Sequence, residues 1–356
     1  MKSLILAVDD IRTIVQKVGR NALMDELISR MTTAFDNYSQ EKIKIPMRDG
    51  FQYTKPVLGL LEWMPIMEVG RKSTIKMVGY HPHNPTQQNL PTIISTISAF
   101  DAVTGHLIGL ADATFTTALR TGAASALASR LMAKADSKTL GLIGCGAQAV
   151  TQLQALSRVF DFERVLLHDS NFSVVQSFQE RVAFLGIDCH ATQLDDLVKQ
   201  SDIICTATSV DIGKGPVFDA VDHKPWLHVN AVGADFPGKV EVPQDFLKKS
   251  YVSPDYRLQA IKEGECQQLD EEEIGKDLVE IVQHPDEYAH LKEQSTVFDS
   301  TGWALEDQVA LELLIDFANE FGLGTEMDLE SIAEDPHNPY SFVGESKTVN
   351  SVQKAR

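Results

Sequence analysis

Residues Gly144-Cys145-Gly146-Ala147-Gln148-Ala149 read G-x-G-x-x-A between a strand-like run, TLGLIG, and a helix-like run, GAQAVTQLQALSRVF. That context is what a dinucleotide-binding turn requires. Gly144 permits the tight turn, Gly146 lets the backbone approach a pyrophosphate, and the small Ala149 lets helix and strand pack closely. The phosphates would rest on the helix N-terminus, where unbonded amides and the dipole favour negative charge. The next strand-like run, RVLLHD, ends at Asp169. An acid about 20 residues past the glycines binds ribose hydroxyls and repels a 2′-phosphate, so NAD is expected rather than NADP. The competing reading is a tight turn that binds no nucleotide.

Other residues could do chemistry. Asp235 in GADFPGK follows the strand-like run WLHVNAVG, at the carboxyl end of a parallel sheet, where such folds place their sites. A turn or helix-capping Asp is the plain alternative, suited by Pro237 and Gly238. Arg120 falls in the first turns of a helix, where the dipole disfavours a cation unless an anion is near. His81 and His83 flank Pro82 and could share a face, but no third ligand is evident, so no metal is expected. The cysteines, Cys145, Cys189, Cys205 and Cys266, form no C-x-x-C pair and match no zinc spacing. No G-x-S-x-G elbow or Cys–His motif is present.

These residues need elements to hold them. Val57–Met64 and Thr92–Phe100 read as strands, with a Pro/Asn/Gln-rich loop between them. Thr116–Ala135 reads as a long helix, Ala- and Leu-rich, with Thr116 or Thr117 as its cap. Its small residues, Gly122 to Ala126, allow a neighbour to approach closely. From Lys138 strands and helices alternate, which argues for a parallel sheet covered on both faces. A last helix, about Ala304 to Phe321, leads back to the first domain. The polar tail after Pro336 reads as loosely held. The expected fold is α/β: a Rossmann-type NAD domain, 131–319, and a discontinuous α+β substrate-binding domain, 1–130 plus about 320–356.

With 356 residues the chain is long enough for two domains. Lys and Arg total 32 against 50 Asp and Glu, a net charge of −18, which argues against a nucleic acid or an anionic membrane as partner. The start, MKSLILAVDD, is cut short by Asp9 and Asp10, too early for a signal-peptide core, and no run approaches membrane-span length. A cytoplasmic protein is expected.

Taken together, LEWMP, KMVGYHP, NLPT, TTALRTGAAS, GLIGCGAQA, NAVGADFPGK, EGECQQL and VFDSTGWALED are more specific than the glycine motif. Over about Lys42 to Asp335 the chain resembles the ornithine cyclodeaminases and, more distantly, the mu-crystallins and related imine reductases. The resemblance implies conversion of ornithine to proline and ammonia with NAD bound and regenerated in each turnover. It implies a carboxylate clamp of Arg48, Lys76 and Arg120, with Asp235 as general acid/base and Glu62 facing the distal amine. Arginine can grip a carboxylate with two bonds and lysine adds a point charge. It implies Thr301 beside the substrate, its hydroxyl standing where apolar residues also occur. NAD contacts carried over by position are Thr92, Ala147, Gln148, Thr208, Val232, Gly233, Ala234, Lys239 and Ser300, besides Gly144, Gly146 and Asp169. His81 belongs to the resembling HP motif and is expected to shape its loop. A homodimer through the first domain is implied as well. The alternatives are a cyclic-imine (pyrroline-2-carboxylate) reductase, another amino-acid dehydrogenase, a lysine cyclodeaminase, and a non-catalytic binding protein of the mu-crystallin kind. Asp235 and Glu62 together speak for the cyclodeaminases.

Overall fold

The computed structural model describes residues 1–343; the end of the expected polar tail lies outside the described residues. Two sheets organise the chain. The first has eight strands and is mostly antiparallel. Its path runs Thr325–Met327, Ser3–Leu6, Leu107–Asp112, Ile93–Asp101, Lys72–Tyr80, Gly59–Glu68, Ile43–Lys44, and Asp49–Tyr53 also pairs with Gly59–Glu68. The second has seven parallel strands, in the order Cys189–Ala191, Arg164–His168, Thr139–Ile143, Ile203–Thr206, His228–Ala231, Thr296–Asp299, Tyr251–Pro254.

The parallel strands show why they are inside. Thr139–Ile143, Ile203–Thr206, His228–Ala231 and Thr296–Asp299 are buried at every residue, as strands covered on both faces must be. Their polar members find partners: His228 Nδ1 lies 2.7 Å from Thr296 Oγ1, and Asn230 Nδ2 donates to Ser129 Oγ at 2.9 Å. In the first sheet the pairing Leu60↔Tyr80, Glu62↔Val78, Met64↔Lys76 sets three rows of side chains on one face. Residues two apart in a strand share that face.

The Thr114–Met132 helix is buried nearly all round. Its cap is Ala113, and Thr116 and Thr117 lie inside the helix, buried, so neither is the cap expected from sequence. A Cβ on Gly122 would stand 2.5 Å from the carbonyl oxygen of Thr151, in the Ala147–Leu156 helix. The close approach foreseen from the small residues is to that helix. The Ala304–Phe321 helix puts Leu305, Val309, Leu313 and Leu314 into the core that also holds Leu23, Leu27, Met31 and Phe35. We therefore propose that the chain returns to its first domain at about Ala304, ahead of 320.

Sequence reading missed the helices Val8–Val18 and Arg20–Asp36 and the strand Lys72–Tyr80, and ran the Asp235 strand too far: it stops at Ala231. Among the described residues no helix is long and apolar enough to cross a membrane.

Candidate active site

One cavity, about 880 Å³ measured out through its mouth, gathers Arg48, Glu62, Lys76, Arg120, Asp235 and Thr301. Each comes from a different place. Glu62 and Lys76 stand on the inner face of the first sheet, Arg48 just before the Asp49–Tyr53 strand, and Arg120 on the Thr114–Met132 helix. Asp235 and Thr301 follow two strands of the parallel sheet at their carboxyl ends.

The cations are not bare. Lys76 Nζ lies 2.7 Å from Asp307 Oδ2; Arg120 Nη1 donates to Glu306 Oε2 at 2.7 Å, and its Nε is 3.1 Å from Asp307 Oδ1. The anion expected to accompany Arg120 at its helix start is thus supplied by the first turn of the Ala304–Phe321 helix. Gly302, at φ +89°, makes room: a Cβ there would stand 2.7 Å from Arg120 Nη2. Arg48 Nε donates to Glu263 Oε1 at 2.9 Å and lies 3.3 Å from Glu62 Oε1. Its Nη1 donates to the carbonyl of Thr301 at 3.1 Å and its Nη2 to that of Asp235 at 2.7 Å. Lys239 Nζ, over the Tyr80 ring, donates to Asp235 Oδ1 at 2.9 Å.

Burial moves the protons. The Glu62 carboxyl is pushed up to about 7 by burial, with Glu263 and Asp235 adding to the rise and Arg48 and Lys76 opposing it. Burial pulls Lys76 down to about 8, against the pull of Asp307. Burial raises Glu306, against Arg120. Lys239 is raised: Asp235 and Tyr80 outweigh its burial.

Three of the expected site residues have surroundings that the sequence did not show. The Thr301 hydroxyl donates to Asp255 Oδ1 at 3.0 Å and accepts from Gln259 Nε2 at 2.8 Å, so it is spent inside the protein. The Thr208 hydroxyl donates to buried Glu241 at 2.6 Å. Lys239, expected on the cofactor, lines the same cavity as Glu62 and Lys76.

The glycine turn fits a dinucleotide. Gly144 sits at φ +89°, and a Cβ there would meet the Ala207 carbonyl at 2.6 Å. A Cβ on Gly146 would meet nothing within 4 Å, which leaves space over the helix beginning at Ala147 and Gln148. No side chain caps that helix. Asp169 accepts from the amides of Cys145 and Asn171, both at 2.8 Å, which uses two of about four carboxylate lone pairs. The Val232 amide bonds Thr206 O and the Gly233 amide bonds Glu241 Oε2, beside buried Ala234. Ser300 Oγ is buried without a partner, as a group awaiting a ligand would be. Thr92 accepts from the His81 amide through its carbonyl, and His81 Nε2 meets Tyr53 Oη at 2.8 Å, which ties down its loop.

Residues 8–321 match the model of the ornithine cyclodeaminase/mu-crystallin family. The chain is a member of that family. It is 43% identical to an L-lysine cyclodeaminase of Streptomyces rapamycinicus over 96% of this chain and 100% of that one. A solved lysine cyclodeaminase, described as recognising L-lysine, L-ornithine and L-2,4-diaminobutyric acid, superposes with a TM-score of 0.93 at 42% identity, over 96% of this chain and 100% of that one. An ornithine cyclodeaminase of Agrobacterium tumefaciens is 29% identical over 95% of this chain and 93% of that one. An archaeal alanine dehydrogenase dimer with bound NAD has a TM-score of 0.80 at 30% identity, over 93% of this chain and 100% of that one.

Glu263, Glu306 and Asp307 were given no role from sequence, although EGECQQL and VFDSTGWALED contain them. The available signal was acids inside otherwise apolar or glycine-bounded stretches of a family motif.

Proposed function

We propose that the chain is an NAD-dependent cyclodeaminase of a basic L-amino acid, converting L-lysine to L-pipecolate and ammonia. L-Ornithine to L-proline is the second reading, by the same chemistry. Sequence alone put ornithine first; 43% identity to a lysine cyclodeaminase, against 29% to an ornithine cyclodeaminase, moves lysine ahead. One methylene is worth only about 1–3 kcal/mol in a pocket, so both substrates belong in the first assay.

The observation that carries the reading is the charge arrangement of a single cavity. Lys76 and Arg120, each paired with an acid of the Ala304–Phe321 helix, line it together with the carboxylates of Glu62 and Asp235. A zwitterion with a second ammonium matches both. Lys76 and Arg120, with the remaining N–H groups of Arg48, hold the α-carboxylate. Glu62, able to change charge near neutrality, and Asp235 take the proton of the distal ammonium, which frees that nitrogen to attack the α-carbon. Asp235 returns a proton to the departing α-amine, with Lys239 Nζ 2.9 Å from its carboxylate. NAD fits the glycine turn and, when bound, would take hydride from the α-carbon and give it back to the cyclic imine. One carbon–nitrogen bond forms, one breaks, and no net oxidation results. Cytoplasmic location and a small-molecule partner remain parts of this proposal.

A homodimer through the first sheet is proposed with it. Phe51, Leu61, Met77 and Ile94 are 66%, 40%, 41% and 44% exposed, on the face opposite the cavity.

The test is incubation with catalytic NAD and L-lysine or L-ornithine, with ammonia, pipecolate and proline measured by mass spectrometry. Pipecolate and ammonia in equal amounts without net NADH are expected. Proline alone would move the substrate to ornithine. No product from either, with NADH consumed on pyrroline-2-carboxylate, would replace the reading by a reductase. A stoichiometric ligand without turnover would indicate a binding protein.

A further inference from the structure

Arg48 is held in a way that a substrate clamp alone does not need. Arginine has five N–H donors in a rigid planar fork. Three of its nitrogens are committed to protein at 2.7–3.1 Å: Nε to Glu263, Nη1 to the carbonyl of Thr301, Nη2 to the carbonyl of Asp235. The two carbonyls belong to loops after separate strands of the parallel sheet, whereas Arg48 belongs to the first sheet's side of the cavity. Glu263, at the last turn of the Arg257–Glu263 helix, is the carboxylate hydrogen-bonded to this fork, at 2.9 Å against 3.3 Å for the ion pair with Glu62. It is 8% exposed and does not line the cavity, so it acts from behind Arg48.

We propose that Glu263 is a positioning residue: through Arg48 it seats the Asp235 and Thr301 loops against the Glu62 wall, and its charge sets the balance of the pole that receives the distal amine. The proposal rests on the cyclodeaminase reading for the identity of that amine, but not for the clasp itself. Three carboxylates, Glu62, Glu263 and Asp235, surround the Arg48 guanidinium, with Lys239 on Asp235 and Lys76 on the same sheet face as Glu62. One guanidinium cannot neutralise all three, and a substrate ammonium completes the set. Removing the Glu263 charge releases Arg48 toward Glu62, and Glu62 then holds its proton less tightly.

The experiment uses the full chain with NAD and the variants Glu263→Gln and Glu263→Asp. The Glu62 titration is followed by carboxyl ¹³C NMR on glutamate-labelled protein, the Glu62→Gln spectrum identifying its line, and kcat/KM is followed against pH. In Glu263→Gln the Glu62 midpoint and the acidic limb of kcat/KM are expected to move together to lower pH by about half a unit or more. Activity should fall at least tenfold. Glu263→Asp keeps the charge but withdraws the oxygen by one carbon. It should leave the midpoint near that of the parent, with kcat/KM reduced, and it carries the test alone if Glu263→Gln does not fold. An unmoved Glu62 midpoint in Glu263→Gln overturns the proposal, as does parental kcat/KM in Glu263→Asp. A moved midpoint in a chain inactive on both lysine and ornithine upholds the clasp and sinks the substrate reading.

Discussion

Asp235 and Glu62 divide the proton work of the site by environment. Glu62 is 8% exposed on the sheet wall, and burial dominates it; Asp235, part-exposed at the end of a parallel strand, has Lys239 at 2.9 Å. Asp235→Asn keeps the shape and removes the base. A loss of about 10²–10⁴-fold in kcat is expected, with NAD binding by fluorescence unchanged. The acidic limb of kcat/KM should fall near pH 7, because Glu62 must be ionised to accept a proton and its folded value is raised to about 7. The sign for stability is opposite. A carboxyl raised on folding contributes stability that is present below its unfolded value, near 4.5, and lost as pH rises through about 7. Function at Glu62 therefore works against local stability, as is common at strained sites.

At the scale of elements, the glycine turn and the helix behind it separate binding from folding. Gly146→Ala adds a methyl where nothing lies within 4 Å, in the space left for a pyrophosphate. It should leave the melting temperature within about a degree and weaken NAD binding at least tenfold, read by titration. Gly122→Ala does the reverse. Replacing a helical glycine by alanine ordinarily stabilises by about 0.5–1 kcal/mol. Here the new carbon meets backbone, the Thr151 carbonyl at 2.5 Å, and overpacking at about 1–3 kcal/mol wins. Thermal unfolding should show a lower midpoint. A midpoint at or above the parent's would mean that the two helices separate at no cost.

For the whole molecule, the cavity exists because two sheets of different kind meet. The antiparallel sheet offers a flat wall of alternate side chains, and the parallel sheet offers its carboxyl-end loops. Arg120 and Lys76 face acids from the Ala304–Phe321 helix, so an element late in the chain completes the part of the site that comes early in it. The outer face of the antiparallel sheet exposes Phe51, Leu61, Met77 and Ile94. Leu61→Glu with Met77→Glu should convert the proposed dimer to monomer by light scattering. A dimer that survives both would place the interface elsewhere.

What could be read from the sequence was local or carried by motif. The strand–turn–helix around Gly144 and Gly146 depends on contiguous residues, and so does the alternation of strand-like and helix-like runs after Lys138. Arg48, Glu62, Lys76, Arg120 and Asp235 were reached through family motifs, and all of them line one cavity. The partners of the cations were not legible. Arg48 meets Glu263 across 215 residues and Arg120 meets Glu306 across 186, and no periodicity relates residues so far apart. The Lys72–Tyr80 strand was missed because its own residues, KSTIKMVGY, alternate weakly; pairing on both edges makes it a strand. The hydroxyls of Thr208 and Thr301 looked available because a sequence shows donors but not their acceptors. Only the fold could bring Glu241 and Asp255 beside them, since a buried hydroxyl or carboxylate is stable only where the tertiary structure closes its hydrogen bonds.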